Sequence, residues 1–161
     1  MTEIEIVRDY RHSPHKVWRA VTDPALIPYW TSTGKGARAV GFEPVAGNQF
    51  QFVARPMPGW RGIVDCTVLE VRERELLRYT WVGAEGEEPS YVRYELEPRP
   101  EGTRFTYRHT GFTGAGGFVM AKLLGSVRRK MLTTGLPALL AELDDAGALR
   151  PDAPLRLHVK P

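Results

Sequence analysis

Ile4, Ile6 and Tyr10 stand among Glu5, Val7, Arg8 and Arg11 in partial alternation, which predicts a first strand with one buried face. Ser13 before Pro14 offers a capping hydroxyl followed by a first-turn proline, and Val17, Ala20 and Val21 then recur at helical spacing. This predicts a helix over 14–22. Asp23-Pro24 repeats the device and starts a second short helix that carries Leu26 and Ile27 toward Tyr29 and Trp30. From Arg38 to Thr110 the period becomes two, with turn residues at short intervals, the pattern of an antiparallel meander. Strands are read near 38–44, 49–55, 61–72, 76–83, 90–97 and 103–110. The clearest are Val92, Tyr94, Leu96 and Phe105, Tyr107, His109 on one face, with Pro98-Arg99-Pro100-Glu101-Gly102 as the turn between them.

After Gly114-Ala115-Gly116-Gly117, read as a flexible hinge, Met120, Leu124, Val127 and Met131 keep a helical 4-3-4 spacing, with Lys122, Arg128, Arg129 and Lys130 left for the opposite side. Pro137 falls inside the continuing pattern of Leu136, Leu139, Leu140 and Leu143, which predicts a kink near Thr133 to Gly135 and an end at Gly147. Leu155, Leu157 and Val159 alternate in the last residues, as a docked or disordered tail would. A helix is about 10 Å across, whereas seven strands at ~4.8 Å spacing span roughly 30 Å, so the sheet must curl to be covered. The fold class is therefore α+β, with a curved antiparallel sheet around one long helix. The space they enclose is either packed core or pocket.

Composition narrows the class. A chain of 161 residues with 42% hydrophobic and 25% charged residues is long enough to bury a core without staples. Its single cysteine, Cys66, allows no internal disulfide and fits a reducing compartment. The acidic N-terminus lacks a signal-peptide core and no apolar run approaches ~18 residues, so the expectation is cytoplasmic, with no integral membrane segment. A net charge of +3, spread out except for Arg128-Arg129-Lys130, argues against a nucleic-acid groove. His12 and His15 have no converging ligands for a metal, and no cofactor motif is present.

The run from Pro14 through Val17, Trp18, Ala20, Thr22, Asp23 and Pro24 to Trp30 resembles the "P-x-x-V-W-x-A-x-T-D-P" opening of the START-like, or SRPBCC, superfamily. It is particularly similar to the branch named after the activator of heat-shock protein 90 ATPase. Gly102-Thr103-Arg104-Phe105-Thr106-Tyr107-Arg108-His109-Thr110-Gly111-Phe112 is similar to that branch's last strand. The resemblance implies a helix-grip fold, also seen in pollen allergens of the Bet v type. It implies one domain over 1–147, a tail over 148–161, and a ligand cavity between the sheet and the C-terminal helix. The superfamily spans lipid carriers, hormone pockets, polyketide cyclase-like enzymes and co-chaperone domains, so it implies no single activity.

Candidate ligand-binding residues follow from the inward pattern: Phe50, Phe52, Tyr79, Trp81, Tyr94, Phe105, Tyr107 and His109 on strands, and Met120, Leu124, Val127 and Met131 on the helix. Trp30 brackets the short helices, and Trp60, beside Pro56-Met57-Pro58-Gly59, sits near a cavity mouth. Aromatic walls with a few donors suit a small-molecule site. They suit core packing equally well. His109 could bond a ligand oxygen or move a proton, but no partner for catalysis is evident. Asp65 is expected to face solvent, and Cys66 to be a small buried residue. The first expectation is a small hydrophobic or amphipathic ligand bound without covalent chemistry. An enzyme of cyclase or hydrolase type in the same pocket and an interaction domain with a chaperone partner remain open, as does a homodimer.

Overall fold

The computed structural model describes residues 2–31, 37–58 and 60–153. Strand β1 (Thr2–Tyr10) leads into helix α1 (Pro14–Thr22) and the single turn α2 (Ile27–Trp30). Then come β2 (Arg38–Val40), β3 (Gln49–Val53), β4 (Ile63–Arg72), β5 (Leu76–Trp81), β6 (Ser90–Arg99) and β7 (Gly102–Phe112). The strands form one antiparallel sheet in the order β1-β7-β6-β5-β4-β3-β2. The seven strands match the sequence reading, with trimmed ends. β2 stops at Val40 because Gly41, at φ +76°, turns the backbone away.

The curl has a local cause in β4. Its first half, Ile63 to Thr67, pairs with β3, and its second half, Val68 to Arg72, pairs with β5 across a register shift between Val68 and Glu70. A bulge at that point bends the strand and raises its twist. The predicted β6–β7 turn is shorter than expected: Pro98 and Arg99 stay in the ladder opposite Thr103 and Gly102, so only Pro100 and Glu101 make the turn. Gly102 is required there. Its φ is +152°, and a Cβ would lie 2.0 Å from the Tyr10 carbonyl, where β1 hands the chain to α1.

Ser13 Oγ accepts from Lys16 N–H at 3.2 Å, with Pro14 in the first turn of α1, as the sequence predicts. Trp30 Nε1 donates to the Ala20 carbonyl at 2.8 Å and ties α2 to α1.

The C-terminal helix has three parts: α3 (Gly114–Lys130), a π-helical turn (Met131–Gly135) and α4 (Leu136–Ala141). The predicted kink is this π turn, and its chemistry is explicit. Leu136 N–H reaches back five residues to the Met131 carbonyl. The next such bond would need an N–H from Pro137, which has none. Tyr10 supplies the missing donor, its hydroxyl bonding the Leu132 carbonyl at 2.6 Å. Gly135 allows the turn to press on α2, since a Cβ would meet Trp30 O at 2.7 Å. Leu136, Leu139, Leu140 and Leu143 are then fully buried and fill one end of the sheet.

Two expectations need correction. The helix ends at Ala141 rather than Gly147, because Asp144 organises a turn, accepting from Ala146 N–H and Ala148 N–H, and Leu143 bridges to Leu149. Gly114 to Gly117 are the first turn of α3 rather than a hinge, and Gly117 is held against β7, where a Cβ would meet Phe112 C at 3.0 Å. The alternating Leu155, Leu157 and Val159 lie outside the described residues.

Candidate functional site

The two halves of the C-terminal helix treat the sheet differently. α4 and the π turn are packed deeply, whereas α3 buries only Ala121 and rests mainly on β1 and β7. Gly125 marks the flank that faces β1, its Cβ position lying 3.7 Å from Ile4. The opposite flank carries Met120, Leu124, Val127 and Met131.

That geometry revises the expected closed cavity. Met131 is buried and Leu124 half-buried, but Met120 and Val127 are 45% and 36% exposed, because no strand or loop among the described residues covers them. Phe52, Trp81 and Trp60 across from them are also half-buried. Apolar side chains on this flank of α3 and on the sheet are thus left partly open to solvent. Recesses of about 250 and 280 Å³ lie on the outer face among ion pairs such as Arg108–Glu5 and Arg104–Asp9. Asp65 also faces outward, as expected, accepting from Gln51 and Arg61, whose hydrogen bonds hold its carboxyl below the usual range.

The floor of the groove is aromatic. Phe50 and Phe52 of β3 meet edge-on at 5.2 Å, Tyr79 of β5 packs on Tyr94 of β6 at 5.6 Å, and Tyr94 contacts Phe105 and Tyr107 of β7 at 5.5 and 5.8 Å. Period-two alternation places all of them inward, as the sequence predicts. Trp30 is brought elsewhere, locked between α1 and α2. Trp60 sits at the groove margin, bridged to Met57.

Polar groups run through this floor. The Tyr79 and Tyr94 hydroxyls share a hydrogen bond of 2.9 Å, and burial raises the pKa of both well above the ordinary tyrosine value. Cys66 is buried, and burial pushes its thiol up, which removes it as a nucleophile. His109, fully buried, pairs through Nε2 with Ser90 Oγ at 2.7 Å, while Ser90 Oγ donates to the Trp81 carbonyl at 3.3 Å. Which of Ser90 Oγ and His109 Nε2 donates follows the imidazole tautomer. Nδ1 is buried with no partner. Burial, then the nearby charge of Arg128, lowers the His109 pKa to about 3, so the ring is neutral at ordinary pH.

Arg128 is the correction with the largest consequence. The sequence reading put it on the solvent side with Lys122, Arg129 and Lys130, which are indeed exposed. Instead its guanidinium turns inward, with Cζ 5.0 Å from the Trp81 ring centre, Nε donating to Tyr107 Oη at 3.0 Å and Nη1 reaching Met131 Sδ at 3.3 Å. It stands seven residues after Ala121, two full turns along the same face, and that spacing was the available signal. Ser90 had none: a serine at a strand start is unremarkable until the β6–β7 register, with Tyr91 opposite Thr110 and Val92 opposite His109, is known.

Among the described residues no group of three His, Cys, Asp or Glu side chains could hold a metal ion, and no helix is long and apolar enough to cross a membrane. The site offers a cationic fork, buried hydroxyls and apolar walls. Such a set can bind and orient a small molecule.

Known structures share this architecture. A protein from Mesorhizobium loti is 28% identical, with 89% of this chain and 99% of that one covered and a TM-score of 0.76. A protein from Rhodobacter sphaeroides matches at 24% identity and TM-score 0.74, over 89% and 94% of the two chains. The AHSA1 protein from Silicibacter pomeroyi matches at 18% identity and TM-score 0.69, over 87% and 98%. No curated protein matches the chain. The family described as activator of Hsp90 ATPase homolog 1-like protein matches residues 11–144, from the end of β1 through α4. The helix-grip architecture supports a ligand-binding domain in general, and this chain belongs to the activator of Hsp90 ATPase homolog 1-like family within the START-like superfamily.

Proposed function

We propose that this protein binds a small hydrophobic or amphipathic molecule in the groove between the concave sheet and the Met120, Leu124, Val127, Met131 flank of α3. The observation that carries this reading is the contrast along the C-terminal helix. Where α4 lies, the interior is filled by leucines, and where α3 lies, apolar side chains on both walls stay partly open to solvent. Burying such side chains is worth roughly 25 cal/mol per Å² of apolar surface, so a guest between the walls gains what the protein's own side chains leave ungained. A chaperone-binding surface would instead use the outside of the molecule, where ion pairs on the sheet stand beside exposed apolar residues such as Phe118, Val119 and Leu123 of α3.

A second reading, hydrolysis, is favoured by one observation, the Ser90–His109 pair. It lacks the rest of the machinery. No carboxylate orients the imidazole, Ser90 is buried and already donates to Trp81, and a ring with a pKa near 3 is a poor base at neutral pH. Binding without covalent chemistry is the better account.

Titration with Nile red, a neutral hydrophobic dye, followed by its fluorescence, tests the site. One saturable equivalent is expected, weakened at least tenfold by Leu124→Glu and unchanged by Tyr91→Ser on the outer face. Equal binding by both variants, or no binding to the unaltered protein, would overturn the proposal.

A further inference from the structure

At the surface, Arg19, Arg61, Arg78, Arg93, Arg104 and Arg108 each reach a carboxylate. Arg128, the one that turns into the groove, reaches none among the described residues, and every Asp and Glu of the chain lies within them. Its contacts are a ring face, a phenol oxygen and a thioether, none of which balances a full positive charge. Nη2 has no protein acceptor among the described residues. A guanidinium cannot escape by deprotonation, and in half-buried surroundings its field is screened less than at the surface. The electrostatics are therefore incomplete until an anion arrives.

We infer that the natural guest is an amphipathic anion, with a carboxylate or similar oxyanion paired to Arg128 and an apolar body lying along Leu124 and Val127. This rests on the groove being the binding site, and adds the charge class of what it takes. The planar fork of arginine suits a carboxylate in a two-point pair, and the Tyr107 hydroxyl and Met131 sulfur hold the fork in place from behind. A neutral guest would leave the charge unmatched, and a cationic guest would be repelled.

Isothermal titration with decanoate, 1-naphthoate, 1-decanol and decylammonium separates the claims, with both acids included to tell chain-like from ring-like bodies. The expected result is that at least one acid binds ten or more times more tightly than decanol, and that decylammonium binds least. Arg128→Gln should remove the preference for the acid over decanol. Arg128→Lys should restore part of the preference. Because the charge series is read on the unaltered protein, the result stands even if a variant misfolds. Decanol binding as tightly as both acids would overturn the anion inference and leave the groove intact. Failure of all four compounds to bind would overturn the groove as well.

Discussion

Replacing Phe105 by alanine is expected to cost about 3–5 kcal/mol of folding stability, the usual loss when a phenylalanine is deleted from a well-packed interior. Phe105 is 0% exposed, at the centre of the inner face of β7, with the rings of Tyr10 at 6.3 Å and Tyr94 at 5.5 Å. Neither neighbour is free to collapse into the space. Tyr10 is held by its hydroxyl to the Leu132 carbonyl, where it replaces the bond that Pro137 cannot make, and Tyr94 is held by its hydrogen bond to Tyr79. The measurement is urea unfolding followed by circular dichroism, with an unchanged dependence on denaturant. A loss below about 1.5 kcal/mol, outside the range for such deletions, would mean that the groove extends under the π turn and the interior there is already hollow.

The second large effect is a dependence of stability on pH that belongs to His109. In the unfolded chain this histidine takes up a proton near pH 6.5, whereas in the folded chain it does so only near pH 3, because burial and then Arg128 disfavour the charged ring. Between those values the unfolded state binds more protons. Acid therefore pulls the equilibrium toward unfolding, by about 1.4 kcal/mol for each pH unit between 6.5 and 3. The full contribution is present above pH 6.5 and is lost as pH falls toward 3. His109→Leu removes the titrating group, while Ser90 keeps its bond to the Trp81 carbonyl. The difference in unfolding free energy between the two proteins, followed from pH 7 to pH 4, should narrow in favour of the variant. Parallel profiles would show that His109 is not held neutral by its surroundings.

These two residues also show what the sequence could disclose. Phe105, Tyr107 and His109 were legible because a strand has a period of two, and nothing distant can change which side of the ladder a residue takes. The same holds for the cap at Ser13-Pro14 and for the break ahead of Pro137, both set by local chemistry. The sequence could not show that the break would be a π turn completed by a tyrosine 122 residues earlier in the chain. Nor could it show how far the helix tilts. Met120 and Val127 have the right spacing for a core stripe, but α3 leans on β1 and β7, so that stripe becomes a groove wall. Arg128 was misplaced by composition. A cation at the head of the run Arg128-Arg129-Lys130 was read as a solvated face, although its position relative to Ala121 and Leu124 puts it on the buried arc. The Ser90–His109 pair depends on β6–β7 register, which is a tertiary property.

The central claim is that a guest sits between α3 and the sheet, and its most direct test uses methionine methyls. The chain has four methionines, two of which, Met120 and Met131, stand on the proposed wall. With methyl-13C-methionine protein titrated by decanoate, both methyls should shift along one saturable curve and show nuclear Overhauser contacts to the decanoate chain. Binding that leaves Met120 and Met131 unmoved, with contacts instead to outer-face residues such as Leu69 and Tyr91, would contradict the account.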